Sequence, residues 1–192
     1  AIKEQAEFHK ADSAAAIVLS PNGEILALAN YPSTNPNNHQ SYSADDYRNR
    51  VFSDKTEPGS TMKPFTMLLA LDKGLITATD DELIDVTKSI GHIPPDGKYF
   101  EITIQKILEK SHNLGTVNIS ERIEKEDYYL TWKKLGFGES LGIMPRTENP
   151  GVLKHYSSWG LADKRTLSYG YGPMNLNLAQ LARAYLVFAN NG

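Results

Sequence analysis

Apolar residues cluster in two short runs near the start of the chain, at Ala14–Leu19 and Glu24–Ala29. The four residues between them (SPNG, 20–23) have a composition that is typical of a tight turn. The pattern therefore predicts a β-hairpin. Because the runs are too apolar for one face to lie in water, we expect the hairpin to belong to a sheet that is covered on both sides. Tyr31–Ser43 is rich in Pro, Asn and Ser, which indicates a loop.

The remainder of the chain shows mainly helical patterns. The predicted helices are Asp45–Phe52, Ser60–Lys73, Thr103–Lys110, a helix that begins near Leu114, Glu124–Leu135, and a last helix from Asn177 to Asn191–Gly192. Thr103 is the predicted N-cap of the third helix, Gly136 closes the fifth, and Asn177 with Gln180 forms a capping box at the start of the last. Gly142–Lys164 is predicted to be irregular. This order predicts an α/β (α+β) fold that is rich in helix. Only one pair of strands is clear, and a lone hairpin is marginal in water, so the pair needs further partners.

Composition excludes several classes of function. Apolar residues make up 40% and charged residues 22% of the 192 residues, which is ordinary for a globular protein. A net charge of −3 without a basic run argues against a nucleic-acid partner. The chain has no cysteine, so a disulfide, a thiolate metal site and a cysteine nucleophile are excluded. No apolar run approaches the ~20 residues of a membrane span.

Metal and nucleotide motifs are also missing from the sequence. The histidines are scattered and no two are spaced as a zinc-binding pair on one helix: His9, His39, His92, His112 and His155. There is no phosphate-binding loop, and Gly136–Gly142 misses the dinucleotide-binding fingerprint by one residue. The spacing of the carboxylates does not single out a glycosidase pair.

Ser60 and Lys63 are the candidates for catalysis. At positions i and i+3 they share one face of the predicted helix, and Ser60 lies at its start. A serine hydroxyl becomes a nucleophile when a neighbouring base takes its proton, and a lysine whose pKa is lowered by burial can be that base. With 14 serines and 14 lysines in 192 residues, however, chance predicts about one Ser-x-x-Lys, and one is found. Spacing alone therefore favours a helix cap and a solvated lysine.

A Ser-x-Asn pattern is equally weak when it is taken by itself. It occurs at Ser20, Ser33 and Ser111, and the first two lie in predicted turn or loop segments. Only Ser111 with Asn113 lies at a predicted junction between helices, downstream of the Ser-x-x-Lys helix.

Longer stretches of sequence change this interpretation. RNRVFSDKTEPGSTMKPF (Arg48–Phe65) resembles the active-site region of class B penicillin-binding proteins, the peptidoglycan DD-transpeptidases, and most closely their division-specific penicillin-binding protein 3 type. ILEKSHNLGTVNIS resembles the Ser-x-Asn region of that family, with His112 where Ser is more usual. LSYGYGPMNLNLAQLARAYLVFANNG resembles its Gly-Tyr-Gly segment and the helix that follows, with Asn177 in place of a capping Thr. These matches, with the hairpin, follow the family's order over nearly the whole chain.

The resemblance implies a role for each candidate residue. Ser60 would attack the penultimate D-alanine of a peptidoglycan stem peptide, with Lys63 as the base and the Ser60 N–H as one oxyanion donor. Ser111 would relay the proton to the leaving amine, and Asn113 would hold both Lys63 and the substrate amide. Tyr169 and Gly170 would lie at the substrate-binding cleft, where a structural role in a turn is favoured. β-Lactam antibiotics would trap Ser60, and no metal or organic cofactor is implied.

The resemblance also implies what surrounds the chain. The family's third motif, Lys-Thr-Gly or Lys-Ser-Gly on a strand, is not found. We therefore expect residues 1–192 to be the N-terminal part of a transpeptidase domain of the penicillin-binding-protein/serine β-lactamase-like fold, without its C-terminal strands and without a complete second domain. This part alone is expected to be weakly active or inactive. The parent protein is expected at the periplasmic face of the inner membrane, anchored by an upstream segment, among other division and cell-wall synthesis proteins.

Two other functions remain as alternatives. A serine β-lactamase or β-lactam sensor shares Ser-x-x-Lys and the general fold, but the Glu-Pro-Gly-Ser context and the lack of a clear deacylating Glu argue against it. A non-catalytic division scaffold would be expected to lose one of Ser60, Lys63, Ser111 and Asn113, and all four are present. Arg50 and Glu57 are either an ion pair that braces the loop before Ser60 or two solvated charges.

Overall fold

The computed structural model describes residues 1–79 and 82–191, and the chain forms two compact units. The first unit comprises Ala1–Thr56, Leu135–Gly151 and Leu176–Gly192, and the second comprises Glu57–Lys134 and Val152–Asn175.

The helices are α1 (Ile2–Phe8), α2 (Arg50–Ser53), α3 (Lys63–Asp72), α4 (Ile104–Glu109), α5 (Asn113–Glu121), α6 (Lys125–Lys134), α7 (Leu161–Leu167) and α8 (Leu178–Ala189). Short 3-10 helices lie at Pro36–Ser41, Ala44–Tyr47, Gly59–Met62 and Tyr156–Ser158. The strands are β1 (Ala14–Leu19), β2 (Ile25–Tyr31), β3 (Lys55–Thr56), β4 (Leu83–Asp85), β5 (Glu101–Thr103), β6 (Val152–Leu153) and β7 (Met174–Asn177). Within the described residues, no helix is both long and apolar enough to cross a bilayer.

The first unit is built on the predicted hairpin. Strands β1 and β2 pair antiparallel, with Ala14 opposite Tyr31, and Gly23 closes the turn at φ +88°. Helices α1, α2 and α8 contact β1. The buried core consists of Val51, Phe52 and Ala179, against which side chains of β1 and β2 pack.

The predicted covering of the hairpin on both sides is not found among the described residues. Val18 remains 52% exposed and Leu26 64% exposed, although both belong to the apolar runs. Helices cover the two strands only in part, so the described residues leave some apolar side chains of these runs exposed.

The predicted helix Asp45–Phe52 is wrong as one element, because it is split into the 3-10 helix Ala44–Tyr47 and α2. Arg48 and Asn49 between the two are extended. The side chain of Asn30 explains the break, since its Oδ1 accepts from the N–H of Arg50 at 2.9 Å and its Nδ2 donates to Asn49 at 3.2 Å. A contact with β2 thus replaces the helical hydrogen bond at this point.

In the second unit the predicted helix from Ser60 to Lys73 is confirmed. It opens as the 3-10 helix Gly59–Met62 and continues without a gap into α3, which carries Pro64 in its first turn. Gly74 ends the helix at φ +65°, as a C-terminal glycine should. Helix α3 packs against α4, α5 and α6 around buried Phe65 and Trp132.

The predicted N-cap of α4 is confirmed, and α5 starts one residue before the predicted position. The Thr103 hydroxyl accepts from the N–H of Lys106 at the start of α4. Helix α5 begins at Asn113, one residue before the predicted start, and packs closely on α4. A Cβ on Gly115 would lie 2.6 Å from Ile107 Cγ1, so only glycine allows this approach.

The capping box of the last helix is confirmed. Asn177 Oδ1 accepts from the Gln180 N–H at 2.7 Å, and Gln180 Oε1 accepts from the Asn177 N–H at 3.0 Å. Helix α8 ends at Ala189, two residues before the predicted stop at Asn191–Gly192, of which Gly192 lies outside the described residues.

Several short elements were not predicted. Strand β6 lies within the segment that was predicted to be irregular, α7 begins there and extends to Leu167, and α1 lies in the polar N-terminal residues. Strand β3 pairs with the second half of β7 in the first unit, while β6 pairs with its first half in the second unit, and β4 pairs with β5. Elements of two to four residues are too short to show a period in sequence.

Candidate active site

Lys63, the first residue of α3, is the centre of the candidate site. Its side chain is only 1% exposed, although lysine is among the residues least often buried. Its ammonium nitrogen donates to the backbone carbonyl of Ser111, to Ser111 Oγ at 2.9 Å and to Asn113 Oδ1 at 2.7 Å. All three acceptors come from one stretch of three residues, so the predicted grouping of Lys63, Ser111 and Asn113 is present in the structure.

Burial lowers the pKa of Lys63 from 10.5 to about 8. No carboxylate pairs with this ammonium group among the residues that the structure describes, so nothing opposes the loss of its proton by charge. With a pKa of about 8, roughly one molecule in ten carries a neutral lysine at pH 7. Lys63 is thus a group that can accept a proton under ordinary conditions.

The backbone at Ser111 directs two of these acceptors toward Lys63. Ser111 has φ +51°, in the left-handed region that residues other than glycine rarely adopt. Its N–H donates to the Leu108 carbonyl at the end of α4, and Asn113 two residues later begins α5. The junction between α4 and α5 therefore presents both oxygens of Ser111 and the amide of Asn113 on one side. Ser111 and Asn113 are themselves exposed.

Ser60 lies one turn before Lys63, in the 3-10 helix Gly59–Met62, and is exposed. Its carbonyl accepts from the Lys63 N–H, so backbone geometry ties the two residues together. Its own N–H lies in the first turn, where helical backbones leave donors without an internal partner. In the described part of the chain the Ser60 hydroxyl makes no hydrogen bond, so it is available to another molecule.

The turn that contains Tyr169 and Gly170 packs directly against the residue before Ser60. The N–H of Gly59 donates to the Gly170 carbonyl at 3.0 Å. Gly170 has φ +88°, and a Cβ there would lie 2.0 Å from the Gly59 carbonyl oxygen. The turn therefore supports the backbone that carries Ser60, in line with the structural role favoured from sequence.

The tyrosines of this turn differ in exposure. Tyr169 is half-buried, and burial raises the pKa of its hydroxyl. Tyr171 is 44% exposed, and its hydroxyl carbon and oxygen lie beside Gly59. The rings of Tyr169 and Tyr171 have centroids 5.6 Å apart. A substrate contact by Tyr169 or Gly170 remains a prediction.

Arg50 and Glu57, for which the sequence left an ion pair or two solvated charges open, each have other partners within their own unit. Arg50 lies 3.4 Å from Asp54 and 3.7 Å from Asp45. Glu57 Oε1 accepts from the N–H of Gly172 at 3.1 Å. Glu57 therefore does brace the loop before Ser60, through the Tyr169–Gly172 turn.

Two residues near the site were missed by the sequence analysis. Thr66 lies one turn after Lys63 on α3, and its hydroxyl donates to the Ser168 carbonyl at 2.7 Å, which fixes the same turn. His112 is the N-cap of α5, since its Nδ1 accepts from the Gly115 N–H at 3.0 Å. The position of Thr66, three residues after Lys63, could have signalled its proximity, whereas histidine is not a usual cap.

The described residues contain no cluster of side chains that is typical of a metal site. Across residues 1–79 and 82–191, no group of three or more His, Asp or Glu side chains could hold a metal ion.

The chain is similar to known proteins over nearly its whole length. The family model "Penicillin binding protein transpeptidase domain" matches residues 14–192. A probable peptidoglycan D,D-transpeptidase PenA from Neisseria flavescens is 35% identical over 192 residues, which is 96% of this chain and 46% of that protein.

Solved structures give the same result. A structure of a peptidoglycan glycosyltransferase from Burkholderia ambifaria aligns with a TM-score of 0.85 and 33% identity, over 100% of this chain and 57% of that chain. The transpeptidase domain of penicillin-binding protein 3 from Burkholderia pseudomallei aligns with a TM-score of 0.83 and 32% identity, over 100% and 54% of the two chains.

A mixed α/β fold with a buried lysine beside an exposed serine thus agrees with the family match, and the chain belongs to the penicillin-binding protein transpeptidase domain family. The chain spans about half the length of the solved structures and less than half of the curated relatives that it matches.

Proposed function

We propose that the protein that carries this chain is a serine D-Ala-D-Ala transpeptidase that cross-links peptidoglycan stem peptides and is acylated by β-lactam antibiotics. One observation carries the proposal above all. Lys63 is buried one turn from an exposed serine, has no carboxylate partner among the described residues, and has a pKa of about 8. Such a lysine serves as a general base, and the unpartnered serine hydroxyl serves as the nucleophile.

In the acylation step the neutral amine of Lys63 takes the proton of the Ser60 hydroxyl. Ser60 Oγ forms a bond to the carbonyl carbon of the penultimate D-alanine, and the electron pair of that carbonyl moves to its oxygen. The Ser60 N–H, at the start of a helix, donates to the oxyanion. Collapse of this intermediate breaks the bond to the terminal D-alanine, which leaves after it receives a proton.

The acceptors around Lys63 explain how that proton reaches the leaving amine. The Ser111 carbonyl and Asn113 Oδ1 can only accept hydrogen bonds, whereas the Ser111 hydroxyl can also donate. When Lys63 is neutral, Ser111 is therefore the partner that can reverse its hydrogen bond. A proton on Lys63 passes through Ser111 Oγ to the amine, and Asn113 keeps the lysine in place throughout.

The second half of the reaction uses the same groups. The amine of another stem peptide attacks the ester of Ser60, loses its proton to the Lys63–Ser111 pair, and releases Ser60 with its hydroxyl restored. The new amide is the cross-link. Asn113 Nδ2 has no partner among the described residues, so we assign it to the substrate amide. Tyr169 and Gly170 are proposed to line the binding site beside it.

The cellular setting follows from the substrate. Peptidoglycan is assembled outside the cytoplasm, so we propose that the full-length protein works at the outer face of the cytoplasmic membrane. The resemblance to the penicillin-binding protein 3 type supports a role in septal cell-wall synthesis together with other division proteins.

Intact-protein mass spectrometry after incubation with a penicillin tests the proposal. We expect the full-length protein to gain the mass of one penicillin and the Ser60→Ala variant to gain none. A peptide map should place the adduct on Ser60. Adduct formation at another residue, or none in the full-length protein, would contradict the proposal.

The lifetime of the adduct separates a transpeptidase from a β-lactamase. A transpeptidase should hold the penicilloyl ester for many minutes, because the sequence offers no clear Glu that would activate a water for deacylation. Rapid loss of the adduct with continued penicillin consumption would assign the protein to the β-lactamases instead.

A further inference from the structure

His112 occupies an unusual position between the two functional residues of the Ser-x-Asn stretch. The side chain is 6% exposed, and its Nδ1 accepts from the N–H of Gly115, the third residue of α5. Ser, Thr, Asp and Asn normally cap helices in this way, so a buried imidazole is an exception. Because the Gly115 N–H is a donor, Nδ1 carries no proton and the ring proton of the neutral imidazole lies on Nε2.

The surroundings fix the orientation of this ring. Nε2 lies 3.5 Å from Asp96 Oδ2, and Asp96 is held by the N–H of Lys98 at 2.9 Å. Nε2 has no hydrogen-bond partner of normal geometry among the described residues, and the Asp96 carboxylate lies close enough to attract its N–H. The Tyr99 ring packs edge-on against the imidazole, with the centroids 5.8 Å apart. A side chain at position 115 would lie 3.3 Å from Nδ1, so glycine leaves room for the cap.

The backbone of His112 is anchored as well. Its carbonyl accepts from the Thr116 N–H at 3.2 Å and from the Thr116 hydroxyl at 2.9 Å. Ser111, the preceding residue, has φ +51°. This conformation costs energy and persists only where contacts of the neighbouring residues impose it. The His112 N–H also donates to the Ile107 carbonyl at 2.9 Å, so the end of α4, the His112 cap and the Thr116 contacts together fix the chain immediately after Ser111.

We propose that His112 is a positioning residue that holds Ser111 in the left-handed conformation in which both of its oxygens face Lys63. The inference rests on the proposed function, because its effect is measured on the acylation of Ser60. Without the cap, Ser111 relaxes toward an ordinary conformation and its hydroxyl moves away from Lys63. Acylation then slows, whereas the non-covalent binding of a β-lactam, which needs no proton transfer, is retained.

Pre-steady-state acylation by a fluorescent penicillin tests this role in the full-length protein. The acylation rate constant and the non-covalent dissociation constant are measured separately for each variant. For His112→Ala we expect the rate constant to fall about 10- to 100-fold, because small misplacements of reacting groups carry losses of that order. The dissociation constant should change less than about twofold, as only the proton-transfer geometry is altered.

Two further variants separate positioning from general destabilisation. His112→Asn restores an acceptor for the Gly115 N–H, and its rate constant should return to within about threefold of the parent value. Thr103→Ala removes the corresponding cap at the N-terminus of α4, at the opposite end of that helix from the Ile107 and Leu108 carbonyls that hold His112 and Ser111. It should lower the melting temperature by as much as His112→Ala without changing the rate constant.

The outcomes are distinct. An unchanged rate constant in His112→Ala, an equal loss in the Ala and Asn variants, or an equal loss in Thr103→Ala would overturn the role of His112. If His112→Ala does not fold, Thr116→Val is tested instead. Loss of the hydrogen bond from the Thr116 hydroxyl to the His112 carbonyl should lower the acylation rate constant and leave non-covalent binding intact. An unchanged rate constant in Thr116→Val would overturn the inference. Failure of the parent protein to form an adduct would instead overturn the proposed function, and this inference with it.

Discussion

At the scale of single residues, the proposed mechanism makes Lys63 decide the pH dependence of acylation. In that mechanism only the neutral amine takes the proton of Ser60, and the pKa of Lys63 is lowered to about 8. Below pH 8 each further pH unit lowers the neutral fraction about tenfold. We therefore expect the second-order rate constant for acylation by a penicillin to rise steeply from pH 6, bend near pH 8 and then level off.

Lys63→Arg is the control for this profile, because a guanidinium stays charged at all these pH values. We expect its acylation to be slower by about 10²–10⁴-fold, the usual contribution of a general base. A parent profile that is flat between pH 6 and pH 9 would show that Lys63 does not act as the base.

The residue scale also separates what sequence can predict from what it cannot. The proximity of Ser60 and Lys63 follows from helix geometry, since residues three apart share a face, so spacing was sufficient. The contact of Lys63 with the Ser111 carbonyl depends on φ +51° at Ser111. Nothing in a serine followed by a histidine indicates a left-handed residue, so this feature required the structure.

At the scale of elements, the Tyr169–Gly172 turn is a support for the nucleophile. A Cβ at Gly170 would overlap the Gly59 carbonyl and would occupy a residue with positive φ. Gly170→Ala should therefore reduce the free energy of unfolding by at least about 2 kcal/mol, from left-handed strain and overpacking together. It should also slow the acylation of Ser60, because Gly59 must move. Chemical denaturation and penicillin labelling measure the two effects.

Gly97→Ala is the matched control. Gly97 has φ +73°, but no atom lies within 4 Å of the position its Cβ would take. This variant should lose only the ~1 kcal/mol of left-handed strain and should be acylated normally. Equal losses in the two variants would mean that the close approach of Gly170 to Gly59 is unimportant.

Elements were predicted well where their ends carry local signals. The Thr103 cap, the Asn177/Gln180 capping box and Gly74 all mark boundaries that depend on neighbouring residues only. The break before α2 depends on Asn30, about twenty residues away, and strands of two residues exist only through their partners. These features lie beyond any local pattern.

At the scale of the whole molecule, the burial of Lys63 lowers the free energy of unfolding. The folded pKa of about 8 lies below the ordinary value of 10.5, so between these pH values the unfolded chain binds more protons than the folded chain. The penalty is fully present below pH 8 and is relieved as the pH rises toward 10.5. The difference between the two pKa values corresponds to about 3 kcal/mol.

A comparison with Lys63→Met measures this effect. Between pH 7 and pH 10.5, we expect the free energy of unfolding of the parent protein to rise relative to that of the variant by up to about 3 kcal/mol. Other groups titrate in both proteins and cancel in the difference, including Tyr128, whose pKa burial raises. A difference that does not vary with pH would show that Lys63 keeps its ordinary pKa in the folded protein.

The fact that all three acceptors of Lys63 come from residues 111–113 limits how this protein can evolve under antibiotic selection. In the proposed mechanism, a substitution of Ser111 or Asn113 removes an acceptor of Lys63 together with the proton relay or the substrate amide contact, so the natural reaction suffers with the inhibitory one. Under the proposed function we therefore expect resistance substitutions that spare growth to arise around the opening to Ser60, where substrate and drug differ in shape, rather than at Ser111 or Asn113.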